Sequence, residues 1–428
     1  MFKKFFVFLF VAVNAFSLTW NAAQTLSDGV KSYDPQIALN SLGEAVVIWT
    51  QYVNGNYAIM GRYSDDYGTT FSSVVMISNP SQSATDPKVV IDEAGNAVAV
   101  WKYFDGSNFR IQESYKEAQQ NWSTPAYLSP EKNNANIAEI SMSADGKAVV
   151  VWERDNITKR TVIGERHSID AGKNWSANET ILTNVNIYSE TPKIFVSNSN
   201  IAIAVWKEQC GNYMRIAERH SSDFGDNWSA RSFISEDEAA SVTPQIAGDD
   251  SGNVVVCWVE NKFIVKMNRT ADKGETWLGT PVTLSTETKF LQGLQISMNQ
   301  AKVMVIWNKD YISDQATVAG RVSADYGQNW APVIDISEVG KYIIRQTVSV
   351  NGLGNIIVAW LEYSDDHYKV IEKDSVDGLV WSSQVVMDGS VTDITKLFIA
   401  TSADGNVIGA WNTYDSGKIV IKEATASF

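Results

Sequence analysis

One eight-residue pattern constrains this chain more than any other feature: Ser/Thr-x-Asp-x-Gly-x-x-aromatic. It occupies residues 64–71, 168–175, 221–228, 270–277 and 323–330, and a copy shortened by one residue spans 375–381. Gly takes the positive φ that a β-carbon disfavours, and an Asp carboxylate accepts bonds from nearby backbone N–H groups, so each copy is expected to be a tight turn. The turns are marked by Asp66, Asp170, Asp223, Asp272, Asp325 and Asp377. Their near-constant spacing favours one repeat architecture over several unrelated domains.

A second marker lies upstream of each turn, an apolar run ending in Trp. The eight endings are Trp49, Trp101, Trp152, Trp206, Trp258, Trp307, Trp360 and Trp411, spaced 49–54 residues apart. Continuous β-branched runs of this kind suit a strand covered on both faces. Each unit reads as four strands. Strand a usually follows a Pro (Pro35, Pro87, Pro192, Pro244), strand b ends at the Trp, strand c runs into the octet, and strand d leaves from its aromatic. The last unit begins near residue 394 and stops at 428 after strand c, while residues 18–27 resemble the strand d stretch 121–129. The predicted fold is all-β, a single eight-bladed β-propeller over residues 18–428 built from four-stranded antiparallel blades. Its last blade combines 394–428 with 18–33, so the N-terminal strand closes the ring and removes two open edges. Blade 2 departs from the pattern: residues 116–122 keep Trp122 but lose the Asp and the Gly.

The octet resembles the Asp box of the bacterial neuraminidase repeat, found in sialidases and many other β-propellers. The resemblance implies that the boxes are structural and that chemistry sits on the opposite face, which carries the b–c and d–a loops. It further implies an arginine triad for a substrate carboxylate, a Tyr nucleophile activated by Glu, and an Asp acid/base. This chain departs from that pattern. Its first Arg is Arg62, beside an Asp box, and the proposed functional face offers Arg154, Arg160 and Arg345, the first two in one loop. Sialidases also resemble six-bladed rings, so no catalytic residue is carried over. Arg62, Arg166, Arg219 and Arg321 recur just before the boxes, where a repeated environment points to contacts between blades.

Lys and Arg total 35 against 49 Asp and Glu, a net charge of −14, which argues against a phosphate-neutralising surface and so against nucleic acid as partner. Lys3 and Lys4, the apolar run 5–13 and the small residues up to Ser17 read as a secretory signal over 1–17, too short to span a membrane. A secreted or periplasmic location is expected, with no transmembrane segment after cleavage. Cys210 and Cys257 are expected to be free thiols.

The candidate ligand-binding residues lie on the b–c and d–a loops: Tyr52, Tyr103, Glu153, Arg154, Arg160, Glu208, Tyr311, Arg345, Tyr363, His367 and Tyr414. Flat rings beside polar groups suit a sugar or a peptide. Asp34, Asp86, Glu190 and Asp393 begin inner strands where a channel would open. Such carboxylates could hold a hard cation, but capping of a turn is the simpler reading, and no metal or cofactor is assigned. The leading expectation is an exported, non-enzymatic propeller that binds a glycan, peptide or protein. The alternative is a sialidase-like glycoside hydrolase with a divergent site, which would need two carboxylates in one pocket.

Overall fold

The computed structural model describes residues 17–29, 31–156, 160–312, 315–392 and 396–428, so most of the leader and Asp393 lie outside the described residues. Within them every element is a strand, and none is a helix that could cross a membrane. The strands form eight antiparallel blades of four. Blade 1 is typical, with Ser32–Leu39 (a), Ala45–Val53 (b), Asn56–Ser64 (c) and Val75–Met76 (d) paired in that order. Blades 6 and 7 are also hydrogen-bonded to each other, through Gln315 opposite Tyr342 and Ala316 opposite Lys341.

The ring closes as the half-repeats predict. Leu397–Thr401, Asn406–Asp415 and Lys418–Ser427 supply strands a to c of blade 8, and Gln24–Thr25 supplies strand d. Gln24 sits opposite Glu423 and Thr25 opposite Lys422. Leu26 N–H donates to Ile421 O at 2.8 Å, and Trp20 Nε1 reaches across to Glu372 Oε1 of blade 7 at 3.1 Å. Of the N-terminal residues assigned to this blade, Ser32 and Tyr33 instead open strand a of blade 1.

Burial explains why no blade stands alone. All eight marker Trp side chains have 0% exposure. Trp152 of blade 3 packs with Val98, Val100 and Ile111 of blade 2, and Trp206 of blade 4 packs with Val149, Val151 and Ile163 of blade 3. A strand apolar on both faces needs a neighbour on each side, and a closed ring supplies both.

The octets share one geometry. In residues 323–330, Ser323 Oγ donates to Asp325 Oδ1 at 2.8 Å and accepts Gly327 N–H at 2.9 Å, while Asn329 N–H donates to Asp325 Oδ1 at 2.8 Å. Tyr326 has φ 60°, and its N–H donates to Ala301 O at the a–b turn of the same blade. Burial alone would push the Asp325 carboxyl up, but the bonds from Asn329 and Ser323 more than offset it and hold it below the ordinary carboxylate range. The glycine of each octet is also a spacer against the preceding blade. A Cβ on Gly172 (φ 82°) would lie 2.8 Å from Val98 Cγ2, and one on Gly68 (φ 80°) would lie 2.9 Å from Ile408 Cδ1. Gly172→Ala therefore meets both backbone strain and a clash, and a urea midpoint should report a loss of about 1–3 kcal/mol. Blade 2 manages without Asp and Gly. Gln119 takes φ 60°, and Ala118 N–H donates to the Asn96 side chain at 3.2 Å.

Two expectations are corrected. Strand a does not follow the prolines: it starts before them, as in Ser32–Leu39 and Ala84–Ile91, and carries them at a bulge. Pro is tolerated there because a bulge leaves a residue out of the ladder. Strand d is shorter than the run leaving the aromatic. In blade 2 it is only Ala126–Tyr127. Cys210 and Cys257 are free, and burial drives the Cys257 thiol far above its ordinary range.

Candidate functional site

Seven of the eight strands a enter the central channel through the same distortion among the described residues. One residue near the start of the strand, the third in blades 1 to 5, the fourth in blade 6 and the fifth in blade 7, lies in the left-handed region: Asp34 (51°), Asp86 (55°), Ile137 (40°), Thr191 (54°), Thr243 (52°), Gly293 (62°) and Arg345 (56°). The register slips at the same place in these seven blades. Non-glycine residues in this region cost on the order of 1 kcal/mol each, so the surrounding structure must impose the kink. These bulges ring the channel mouth on the face of the b–c and d–a loops.

The mouth is cationic in an otherwise acidic protein. A cavity of about 370 Å³ is lined by Lys88, Lys193, Arg345 and Lys396, with Gln245, Gln292, Gln295 and Asn308 among its polar groups. Lys88 and Lys193 flank Glu139, at 3.4 and 2.7 Å. Burial opposes ionisation of Glu139, but Lys193 and Lys88 outweigh it and bring its pKa down to about 2. Lys396 stands 4.0 Å from Asp34, and Lys102 lies 2.8 Å from Asp86. The two aspartates respond oppositely. Burial raises Asp34 and the nearby Asp86 charge adds to this, whereas Asp86 is held down by Lys102 against its own burial. Arg345, exposed at the rim, makes no ion pair among the described residues, although Asp34 feels its charge. No group of three or more His, Cys, Asp or Glu side chains converges among the described residues.

Aromatic rings surround this mouth on the outer b–c face. Tyr52 meets Tyr57 edge-on at 5.4 Å, Phe104 meets Phe109 at 5.3 Å, Phe263 stacks on Phe290 at 5.4 Å, and Tyr363 meets Tyr368 at 5.1 Å. Tyr52, Phe109, Tyr213, Phe290, Tyr363 and Tyr414 are all exposed. Between blades 2 and 3 the rim opens into a second cavity of about 370 Å³, lined by Lys102, Phe109, Asn134, Asn136, Glu153, Arg154, Asp155 and Thr161 among others.

The structure thus divides the residues named from sequence. Tyr52, Tyr363 and Tyr414 present rings on the rim, and Arg345 stands at the channel mouth. Glu153 and Arg154 share the inter-blade cavity. Glu153 accepts Thr191 N–H at 2.6 Å and is raised by its burial, and Arg154 Nε donates to both oxygens of Glu179 at 2.8 Å. Arg160 is exposed on its own loop, and His367 Nδ1 contacts Asp365 O at 2.7 Å at the tip of its hairpin. Two are inside the protein. Tyr103 is 4% exposed against Ser81, and Glu208 is fully buried, accepting Trp206 Nε1 at 2.9 Å and pairing with Arg231. Strand alternation turns these two into blade interfaces rather than toward a ligand. The Tyr311 side chain lies outside the described residues. Lys88, Glu139, Lys193 and Lys396 escaped the sequence reading. The signal was available in part: stacking the repeats on their bulges aligns Gln36, Lys88, Glu139, Lys193 and Gln245 as one ring.

No family model and no curated protein matches the sequence. Solved structures do resemble it. A polysaccharide lyase of family PL25, an ulvan lyase bound to -[GlcA(1-4)Rha3S]-, matches 95% of this chain and 95% of its own at 9% identity, with a TM-score of 0.52. The NanB sialidase from Streptococcus pneumoniae, in its K499G form, matches 96% of this chain and 70% of its own at 11% identity and a TM-score of 0.41. A protein of unknown function from Dyadobacter fermentans DSM 18053 matches 96% and 99% at 12% identity and 0.45. The likeness to the lyase is one of fold alone.

Proposed function

We propose that this is an exported β-propeller that binds an acidic glycan, with the acidic group held at the channel mouth and further sugar rings lying on the aromatic rim. The cationic mouth carries this reading: a −14 protein gathers Lys88, Lys193, Arg345 and Lys396 in one cavity, and Arg345 has no carboxylate of its own. A guanidinium offers a bidentate fork to a carboxylate or sulfate. The fold likeness to a polysaccharide lyase and to sialidases is compatible with a carbohydrate ligand. The octets are read as Asp boxes with a structural role, because each Asp is spent on its own turn.

A glycan array scored for both retention and cleavage tests the proposal. Wild-type protein is expected to retain acidic glycans more strongly than neutral ones and to lose them as salt rises. Arg345→Ala should weaken that retention about tenfold, the effect of losing one charge-assisted bond. Equal retention by wild type and variant would overturn the reading. Cleavage would favour a second reading, a divergent glycoside hydrolase using carboxylates at the mouth, where burial raises Asp34 and Lys102 holds Asp86 down.

A further inference from the structure

The cavity between blades 2 and 3 differs from the channel mouth in one decisive respect: its cations are already matched. Lys102 is paired with Asp86 at 2.8 Å, and Arg154 with Glu179 at 2.8 Å. An anion entering here would have to displace a protein carboxylate. What remains without an ion-pair partner among the described residues is the carboxylates of Glu153 and Asp155 and a set of neutral amides. Asn134 Oδ1 accepts Phe109 N–H at 3.0 Å and Asn136 Oδ1 accepts Lys102 Nζ at 3.2 Å, which leaves both amide NH₂ groups as donors without a protein acceptor. Beside them stands the Phe109 ring, 44% exposed at the tip of its hairpin.

We infer that this cavity is a subsite for an uncharged, hydroxyl-bearing sugar ring, adjacent to the acidic residue held at the mouth. A flat apolar face next to convergent amide donors is what a pyranose offers in complement: an apolar C–H face and a rim of hydroxyl acceptors. A volume of about 370 Å³ falls in the range of small-ligand sites and holds one ring rather than a chain. The cavity is also wired to the mouth on both sides. Lys102 bonds Asp86 at the bulge of blade 2, and Glu153 accepts the N–H of Thr191 at the bulge of blade 4. A glycan with an acidic residue at the mouth and a neutral neighbour in the cavity would keep its charge beside Lys88, Lys193, Arg345 and Lys396 and present only hydroxyls to Glu153 and Asp155. The inference rests on the glycan-binding reading and adds to it the order of sugar types.

The test compares wild type, Phe109→Ala and Asn136→Ala by calorimetric titration with two probes, glucuronic acid and a disaccharide of glucuronic acid linked to a neutral hexose. Phe109→Ala is expected to weaken the disaccharide about tenfold, the scale of losing one stacked ring, and to leave glucuronic acid unchanged. Asn136→Ala should act in the same direction, and Phe109→Trp should restore affinity. Because Phe109 is exposed, an unchanged unfolding midpoint separates lost binding from lost fold. Disaccharide affinity within twofold of wild type in both alanine variants, or parallel loss of both probes, would overturn the subsite. Wild-type protein that binds neither probe would overturn the glycan reading itself, whereas Phe109-dependent binding of the disaccharide without binding of glucuronic acid alone would keep the subsite and remove the acidic site at the mouth.

Discussion

Leu26→Ala should lower the free energy of unfolding by about 2–5 kcal/mol, as large-to-small changes in a packed site do. The side chain is 2% exposed and packs with Val47 and Trp49 of blade 1 and Ile421 in strand c of blade 8, so it bridges the gap inside blade 8 between that strand and the N-terminal segment. Its backbone bond to Ile421 and the neighbouring bond from Asn21 N–H to Thr425 O, both 2.8 Å, pair the outer edge of Lys418–Ser427. Ser27 Oγ accepts Ile421 N–H at 2.9 Å beside them. Removing residues up to 27 should therefore expose a ten-residue strand edge, visible as self-association in size-exclusion chromatography. The control is Val75→Ala in strand d of blade 1, where the side chain is 40% exposed and little loss is expected. A Leu26→Ala midpoint equal to that of the control would show that the closure contributes nothing special to the ring.

Stability should also be greatest at mildly acidic pH and fall toward pH 8. Burial pushes Glu113 and Glu372 up to about 8 and Glu423 up to about 7; the Trp20 bond lowers Glu372 only in part. A carboxyl that binds its proton more tightly when folded imposes no penalty below its unfolded pKa. The penalty grows as pH rises from there toward the folded value, because the folded state must then bury a charge or keep a proton that the unfolded chain releases. The window is roughly pH 4.5 to 8, and each carboxyl can cost on the order of 2–4 kcal/mol across it. His167 and His220 act in the same direction. Bonds to Glu165 and Glu218 raise them, so their contribution is full below the unfolded histidine pKa and is lost as pH rises through the folded one. The octet aspartates set the acid limit. Asp66 and Asp325 are held low by their turns, and what they contribute is lost as pH falls through those low values. Glu372→Gln should raise the urea midpoint at pH 8 and leave it nearly unchanged at pH 5, since the amide oxygen can still accept from Trp20. A variant that loses stability equally at both pH values would show that the carboxyl acts through packing rather than its proton. That comparison also removes the general effect of a net charge of −14, which the substitution changes little at pH 5.

The sequence by itself determined the number of blades and the way the ring closes. Both follow from local rules repeated many times. The Trp at the end of strand b must be buried in every blade, the Gly of each octet must take a positive φ against the neighbouring blade, and Trp20 with Leu26 continues a pattern that residues 394–428 leave unfinished. Repetition averages out errors in any one copy, which is why blade 2 could lose its Asp and Gly without hiding the period.

Only the tertiary structure decided where a ligand could sit. Tyr103 and Glu208 occupy the loop ends expected of a binding face, yet one lies in the core and the other is sealed against Trp206 and Arg231. Lys88, Lys193 and Lys396 sit more than a hundred residues apart in sequence, each ordinary in its own repeat, and become a cationic site because the ring brings every strand a to one axis. The bulges that aim them come from backbone register and not from a residue type, since Asp, Ile, Thr, Gly and Arg all occupy the kinked position. Local patterning reports which residues a strand must bury. Which charges end up facing one another across a channel depends on closure of all eight blades, and no single repeat contains that information.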